Sequence, residues 1–372
     1  MSRRKDDMKI TAATNRLAEV VGKVRRFAAT GAAASPALQG ILLEASGQKL
    51  RLTASNREAT VTALADVQVD SEGRALIPAQ LLAQYLAKMP GENTTLTLSG
   101  GGLEIASGGR AYTLRSMNPD DYPDLVLDGN AAADGAEVNA GDFFAAVTRV
   151  AKAASTDTAR PSLTGVYFTR SGGRSVLVAT DTYRMAVEAV ETPFDRDVLV
   201  GARALTDIAR VMGNGQITVS VGERHVVFAS EDLRAAARLI EGNFPRWEKV
   251  IPKTHPHTVT VETTALDDAV DAAALLAADA IPVQLNVTED HIELSVNNTE
   301  VGQGSETIPA EGQLSDQDQV KVSFNVRFLQ DGLAMLGGNK VTIRFADSTQ
   351  PVVATSDVDG EDFIYLVMPV RV

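Results

Sequence analysis

The feature that most constrains this chain is a repeat: one helix-then-strand segment occurs three times at nearly constant spacing. Leu76-Ile77-Pro78-Ala79-Gln80-Leu81-Leu82 runs to Met89-Pro90-Gly91 and on to Thr95-Leu96-Thr97-Leu98. Leu199-Val200-Gly201-Ala202-Arg203-Ala204-Leu205 runs to Met212-Gly213-Asn214 and Thr218-Val219. Ser323-Phe324-Asn325-Val326-Arg327-Phe328-Leu329 runs to Leu336-Gly337-Gly338 and Thr342-Ile343. The helix ends Met89, Met212 and Leu336, and the strand positions Leu96, Val219 and Ile343, both advance by 123 and then 124 residues. A fixed period over independent landmarks means one structural unit used repeatedly.

Two further landmarks keep that period. Pro36-Ala37-Leu38-Gln39-Gly40-Ile41 returns 125 residues later as Pro161-Ser162-Leu163-Thr164-Gly165-Val166, with the third copy reduced to Ile281-Pro282-Val283. Each copy closes on an aromatic residue or Met before proline: Tyr122-Pro123, Phe244-Pro245 and Met368-Pro369. Within a copy the hydrophobic period switches. Leu17, Val20, Val21, Val24 and Phe27 recur at helical spacing, whereas Ile41–Ala45, Lys49–Thr53 and Ala59–Ala63 are short β-rich runs separated by polar turns. A second helix is expected from Pro78 to Met89, stopped by Pro90-Gly91.

The predicted order per copy is strand, helix, three strands, strand, helix, three or four strands. That is an α+β unit with its sheets in one layer and its two helices in another. The expected boundaries are a lead-in at residues 1–7 and domains at 8–128, 136–252 and 257–372, joined through polar connectors near Asp128–Glu137 and Pro252–His257. A chain of 372 residues suits three such domains, at roughly 100 to 200 residues each.

Chemistry is harder to find. With no cysteine in the chain, disulfides, thiolate metal sites and Cys nucleophiles are excluded. The four histidines form no ligand cluster: His255 and His257 fall in a connector that reads as solvated linker, and His225 and His291 fall in strand patterns. Gly100-Gly101-Gly102 lies between two strands rather than before a helix, so it is a hairpin turn and not a phosphate-binding loop. Asp120-Asp121-Tyr122-Pro123-Asp124 reads as a polar loop leading into a buried Tyr-Pro, and Thr180-Asp181-Thr182-Tyr183-Arg184 as a turn. No metal and no cofactor is expected.

A formal net charge of -13 counts against a uniformly DNA-binding surface, but charge distribution matters more than the sum. Lys23, Arg25 and Arg26 lie on or just after the first helix and Lys88 at the end of the second; Arg149, Lys152, Arg203 and Arg210 are helical in the second copy. These residues read either as a solvated helix face or as a surface that meets phosphate. The third copy contributes least, because its first helix, expected from Thr264 to Ala278, carries Asp267, Asp268 and Asp271, with Asp279 just beyond, and no Lys or Arg. The charged N-terminus lacks a secretory core and no apolar run reaches 18 residues, so the expected setting is cytoplasmic, without membrane contact.

These residues together resemble the bacterial sliding clamp, the beta subunit of DNA polymerase III holoenzyme, from Met8 to Val372. The most specific matches are Ala179-Thr180-Asp181 with Arg184-Met185-Ala186, Gly242-Asn243-Phe244-Pro245 with Val250 and Pro252, Phe324-Asn325-Val326, and Tyr365-Leu366-Val367-Met368-Pro369-Val370-Arg371. The resemblance implies a non-catalytic DNA-clamp fold, with sheets outside and two helices per domain inside. It also implies a head-to-tail homodimer that closes as a six-domain ring around duplex DNA without reading sequence. Its implied partners are the replicative polymerase alpha subunit, the clamp-loader ATPase, and other clamp-binding polymerases and repair proteins.

Carried over position by position, the family's peptide groove falls on Leu163, Thr180, Tyr183, Arg184, Met185, Pro245 and Val250 on one side. Asn325, Phe328, Val367, Met368, Pro369, Val370 and Arg371 lie on the other. The family's dimer edge falls on Tyr112 and Leu114. Three groove positions depart from the family pattern: Tyr183 where a smaller or imidazole side chain is usual, Thr182 for a frequent Gly, and Lys249 for a frequent Arg. The loop Thr30–Ser35 lacks an Arg that often contacts DNA. Two competing readings predict different things: a DNA-independent tandem binding module predicts no ring, and a repeat-built enzyme predicts a cleft with titratable groups.

Overall fold

The structure, a computed structural model, describes residues 7–31, 33–124, 135–192, 194–277, 281–315 and 317–371. Residues 1–6 of the lead-in and 128–134 of the first connector, with Ala32, Ala278, Asp279 and Val372, lie outside the described residues.

The first copy comprises β1 (Met8–Ala13), α1 (Thr14–Val24), β2 (Gly40–Ser46), β3 (Lys49–Ser55), β4 (Ala59–Asp66), β5 (Gln68–Ser71), β6 (Gly73–Pro78), α2 (Ala79–Leu86), β7 (Asn93–Ser99), β8 (Gly102–Ser107) and β9 (Arg110–Arg115). The second comprises β10 (Ala136–Asn139), α3 (Ala140–Ala151), β11 (Gly165–Ser171), β12 (Arg174–Thr180), β13 (Arg184–Ala189), β14 (Val198–Gly201), α4 (Ala202–Met212), β15 (Gln216–Val221), β16 (His225–Ala229) and β17 (Leu233–Arg238). The third comprises β18 (His257–Glu262), α5 (Thr263–Ala277), β19 (Val283–Val287), β20 (His291–Asn298), β21 (Gly302–Leu314), β22 (Val320–Phe324), α6 (Val326–Leu333), β23 (Lys340–Phe345), β24 (Val352–Ser356) and β25 (Phe363–Val367). The predicted order therefore recurs, with β5 as an extra short strand.

Local sequence explains the elements. In α1 the buried residues Thr14, Leu17, Val20, Val21 and Val24 form one stripe, each aliphatic side chain contributing about 1.5 to 3 kcal/mol on burial. Lys23 and Glu19 pair across one turn on the opposite side. Gly100 and Gly101 both take positive φ, +58 and +82, as a two-residue hairpin between β7 and β8 requires. Pro78 ends β6 instead of opening α2, because it pairs with Gly40; the helix proper stops at Leu86 and a tight turn carries the chain to Met89.

Chain contacts divide the protein into two compact units, one of residues up to Asp142 with Ala204–Leu239, the other of Phe143–Arg203 with the residues from Ile240 onward. The middle copy is thus shared between them. The first unit holds a five-stranded sheet, β5-β1-β7-β8-β9, and an eight-stranded sheet, β10-β15-β16-β17-β4-β3-β2-β6. The second unit holds a twelve-stranded sheet, β14-β11-β12-β13-β25-β24-β23-β18-β21-β20-β19-β22. All named pairings are antiparallel.

Neighbouring copies are joined by main-chain hydrogen bonds at equivalent strands. Residues Leu233–Ala237 of β17 pair with Ala59–Ala63 of β4, and Phe363–Val367 of β25 pair with Arg184–Glu188 of β13. Their counterparts at the chain's two ends lack that neighbour. β9 ends the five-stranded sheet, and the first half of β21 pairs only with β20, its residues Gly302–Thr307 exposed.

His257 corrects the linker reading. It opens β18, is only 3% exposed, and lies 5.3 Å from the Phe345 ring. The connector ends one residue earlier, and burial holds His255 below its usual pKa.

Candidate partner-binding and DNA-facing surfaces

The turn between β12 and β13 is tightly specified. Asp181 Oδ1 accepts from the main-chain N–H of Tyr183 and Arg184, both at 2.9 Å, and Thr180 Oγ1 accepts from Thr182 N–H at 3.0 Å. Thr180 Oγ1 in turn donates to Arg184 O at 2.6 Å. This network holds Thr182 at φ +82, a conformation that costs a β-branched residue about 1 to 3 kcal/mol. Its product is Tyr183 at the tip, 59% exposed, its ring 6.2 Å from Phe328 and nearly parallel to it at 23°.

Arg184 sits beneath the tip. Its Nε donates to Asp181 Oδ2 at 3.0 Å, a second nitrogen pairs with Asp331, and the guanidinium lies 4.9 Å from the Phe328 ring centre. Phe328 is on α6, whose first turn is capped by Asn325 accepting from Arg327 N–H at 2.9 Å. Tyr365 OH donates to Phe328 O at 2.7 Å and fixes that helix to β25. The C-terminal run is anchored at both ends, with Met368 N–H donating to Tyr183 O at 2.8 Å and Val370 N–H to Ser323 O at 2.7 Å.

Met185 faces the other way along β13. It is 3% exposed and packs with Val178, Val187, Trp247 and Leu366. Trp247 lies between Pro245 and Val250, which are themselves exposed. Val367 turns with Tyr365 toward the small cavity lined by Leu329, Gly332 and Leu333, while Leu366 shares Met185's face. Leu163 is buried in the 3-10 turn before β11. Tyr183, Arg184, Asn325, Phe328 and Met368 are brought together; Val250, Val370 and Arg371 add exposed side chains.

Of the expected basic residues, Arg25, Arg26, Lys88, Lys152, Arg203 and Arg210 are exposed, and Lys23 is half-buried beside Glu19. Arg210 pairs with Asp207 at 3.1 Å on the same helix. Arg149 is the exception and corrects the phosphate-facing reading. Its guanidinium binds Glu188 at 2.9 Å and Asp359 at 3.0 Å and covers the Phe363 ring at 4.1 Å, so its charge is already spent inside the protein. Burial pushes the Glu188 carboxyl above its usual pKa even beside Arg149. On α5, Asp267 is raised by burial and by Asp271 and Asp268. Among the described residues no group of three His, Asp or Glu could hold a metal, and no helix is long and apolar enough to cross a membrane.

At the expected dimer edge, Tyr112 is 42% exposed with its ring 4.8 Å from that of Tyr85 on α2 and tilted 40° to it, whereas Leu114 is buried by its own chain. Sequence reasoning missed Leu275, 85% exposed on α5, and Val301, 68% exposed before β21. The signal for Leu275 was available: it falls off the buried stripe of Leu266, Ala269, Val270, Ala273 and Ala277.

Three copies of one α+β unit, joined through shared sheets, define a tandem-repeat DNA-clamp fold. Models of the DNA polymerase III beta subunit match along the chain, the N-terminal domain at residues 8–126, the central domain at 137–246 and the C-terminal domain at 248–371. The chain belongs to the DNA polymerase III beta subunit family. A beta sliding clamp of Streptomyces coelicolor is 28% identical over 380 residues, covering 98% of this chain and 99% of the relative. The solved structure of the C. crescentus beta sliding clamp is 26% identical, covers 99% of this chain and 100% of its own, and superposes with a TM-score of 0.91. A Bacillus subtilis sliding clamp structure, 24% identical over 98% of this chain and 99% of its own, has the same fold at a TM-score of 0.89.

Proposed function

We propose that this protein is a DNA sliding clamp, a non-catalytic processivity subunit that encircles duplex DNA as a homodimeric ring and tethers polymerases through the surface around Tyr183, Phe328 and Met368. The observation that carries the reading is the repeated junction between copies. β17 joins β4 and β25 joins β13, while β9 and the first half of β21 are each paired on one side only among the described residues. Joining β9 of one chain to β21 of a second chain, and the reverse, satisfies both open edges and closes six repeats head to tail.

On this reading Tyr112, aligned by the repeats with the buried Ala235 and Tyr365, lies opposite Gly304 of the second chain. Tyr85, Leu81 and Tyr112 then meet the exposed Leu275. The repeats are assigned to residues 8–128, 136–252 and 257–372. Lys23, Arg25, Arg26, Lys88, Lys152, Arg203 and Arg210 supply phosphate contacts without base readout, and the remaining acidic surface discourages side-on binding. Polymerase, clamp-loader and repair partners would insert short apolar segments at Tyr183, Arg184, Phe328, Val250 and the Met368–Arg371 run, in a cytoplasmic setting.

Imaging of single particles tests the assembly. The expected result is a closed ring of two chains that Tyr112→Arg with Leu275→Asp converts to monomers by sedimentation; open chains or monomers of the unaltered protein would refute it.

A further inference from the structure

The small cavity behind α6 has an origin in the sequence. α2, α4 and α6 are equivalent helices, and their seventh residues are Tyr85, Ile208 and Gly332. In the third copy Tyr365 moves into the space the glycine leaves: a Cβ at Gly332 would lie 2.4 Å from the Tyr365 ring. A flat ring refills only part of that space, and it cannot swing further, because its hydroxyl donates to Phe328 O at 2.7 Å. What is left is a cavity of about 40 Å³. α5 closes it with Leu266 and Val270, α6 with Leu329 and Leu333, and β24 with Val352 and Ala354. Of its lining residues only Leu329 and Ile343 are half-buried, and the rest are buried.

We propose that this cavity is a binding site for a compact apolar molecule, a noble gas atom or a small hydrocarbon. Water is the competing occupant, and the lining decides against it. One water needs roughly 10 to 15 Å³, so size admits it, but it also needs about two to four polar partners. No polar atom contributes to the surface of the cavity, since the one hydroxyl among its lining residues, that of Tyr365, is committed to Phe328. An apolar guest asks for no hydrogen bond. It restores the dispersion contacts that the lining side chains lack on their open side. The volume restricts the guest to one large atom or a few carbons. Leu329 and Ile343 mark the way in, between α6 and β23.

Xenon is the probe, applied to the full-length protein. In crystals pressurised with the gas, a strong anomalous peak is expected among Val270, Leu333 and Tyr365. In solution, the xenon NMR resonance should move with protein concentration. Val270→Phe fills the cavity from α5 and should abolish the peak and most of that movement. If Val270→Phe does not fold, Ala354→Leu fills the cavity from β24 and carries the same test. Absence of xenon from the cavity of the unaltered protein, a peak retained in the filled variant, a resonance that moves equally with both proteins, or ordered water in the space would each overturn the proposal.

Discussion

Met185 stands directly opposite Leu366 across the β13–β25 pairing, and both side chains are buried against Trp247. The join between the second and third copies is therefore a strand register with its own small core, and the adjacent site is built on the two strands that make it. Truncating Leu366→Ala removes a side chain 1% exposed and leaves a cavity. The expected loss is about 3 kcal/mol, against under about 1.5 kcal/mol for Leu366→Met. Urea unfolding of the full-length protein followed by Trp247 fluorescence measures both.

Arg149 predicts a pH dependence. Burial raises Glu188 above its ordinary pKa, so the folded state holds that proton more tightly than the unfolded chain. The group's contribution is most favourable below the unfolded value and declines as pH rises through the raised one. Arg149→Ala removes the cation that offsets this. Its cost should be about 2 kcal/mol at pH 8, between the exposed and fully buried limits, and smaller near pH 5, where Glu188 can protonate. Stability curves at the two pH values check the sign; an equal loss at both would show that the carboxylate is not the group responsible.

Charge reversal on the exposed basic residues should act through salt. Arg203→Glu with Arg210→Glu is expected to weaken association with nicked circular duplex and to lower the slope of log affinity against log salt by about 0.9 for each contact removed. Arg149→Gln should leave that slope unaltered, since its guanidinium is occupied by Glu188 and Asp359. Measurements at several salt concentrations separate the two sets.

Much of the fold was legible because its signals are local and periodic. The stripe Leu17-Val20-Val21-Val24 specified α1, Gly100-Gly101 specified a hairpin, and the recurring landmarks specified three equivalent copies. What the sequence could not display was pairing between distant strands. β17 with β4 and β25 with β13 are separated by well over a hundred residues, so the merging of copies into shared sheets had no local trace. The site shows the same division. Tyr183, Arg184 and Phe328 came from a resemblance and meet in the structure, but that Leu366 packs with Met185 and Val367 on the opposite face of β25 is a one-residue question of register. Arg149 was misread because a helical arginine looks alike in sequence whether it faces solvent or a buried carboxylate.

Topological retention tests the central claim most directly. The protein is loaded onto nicked circular DNA with a clamp-loading ATPase, separated from free protein in high salt, and then the circle is cut once. Encirclement predicts that the protein stays on the intact circle and is lost on linearisation, at a rate insensitive to sequence. Equal retention before and after the cut would contradict it, because a protein held by surface contacts has no reason to leave a free end.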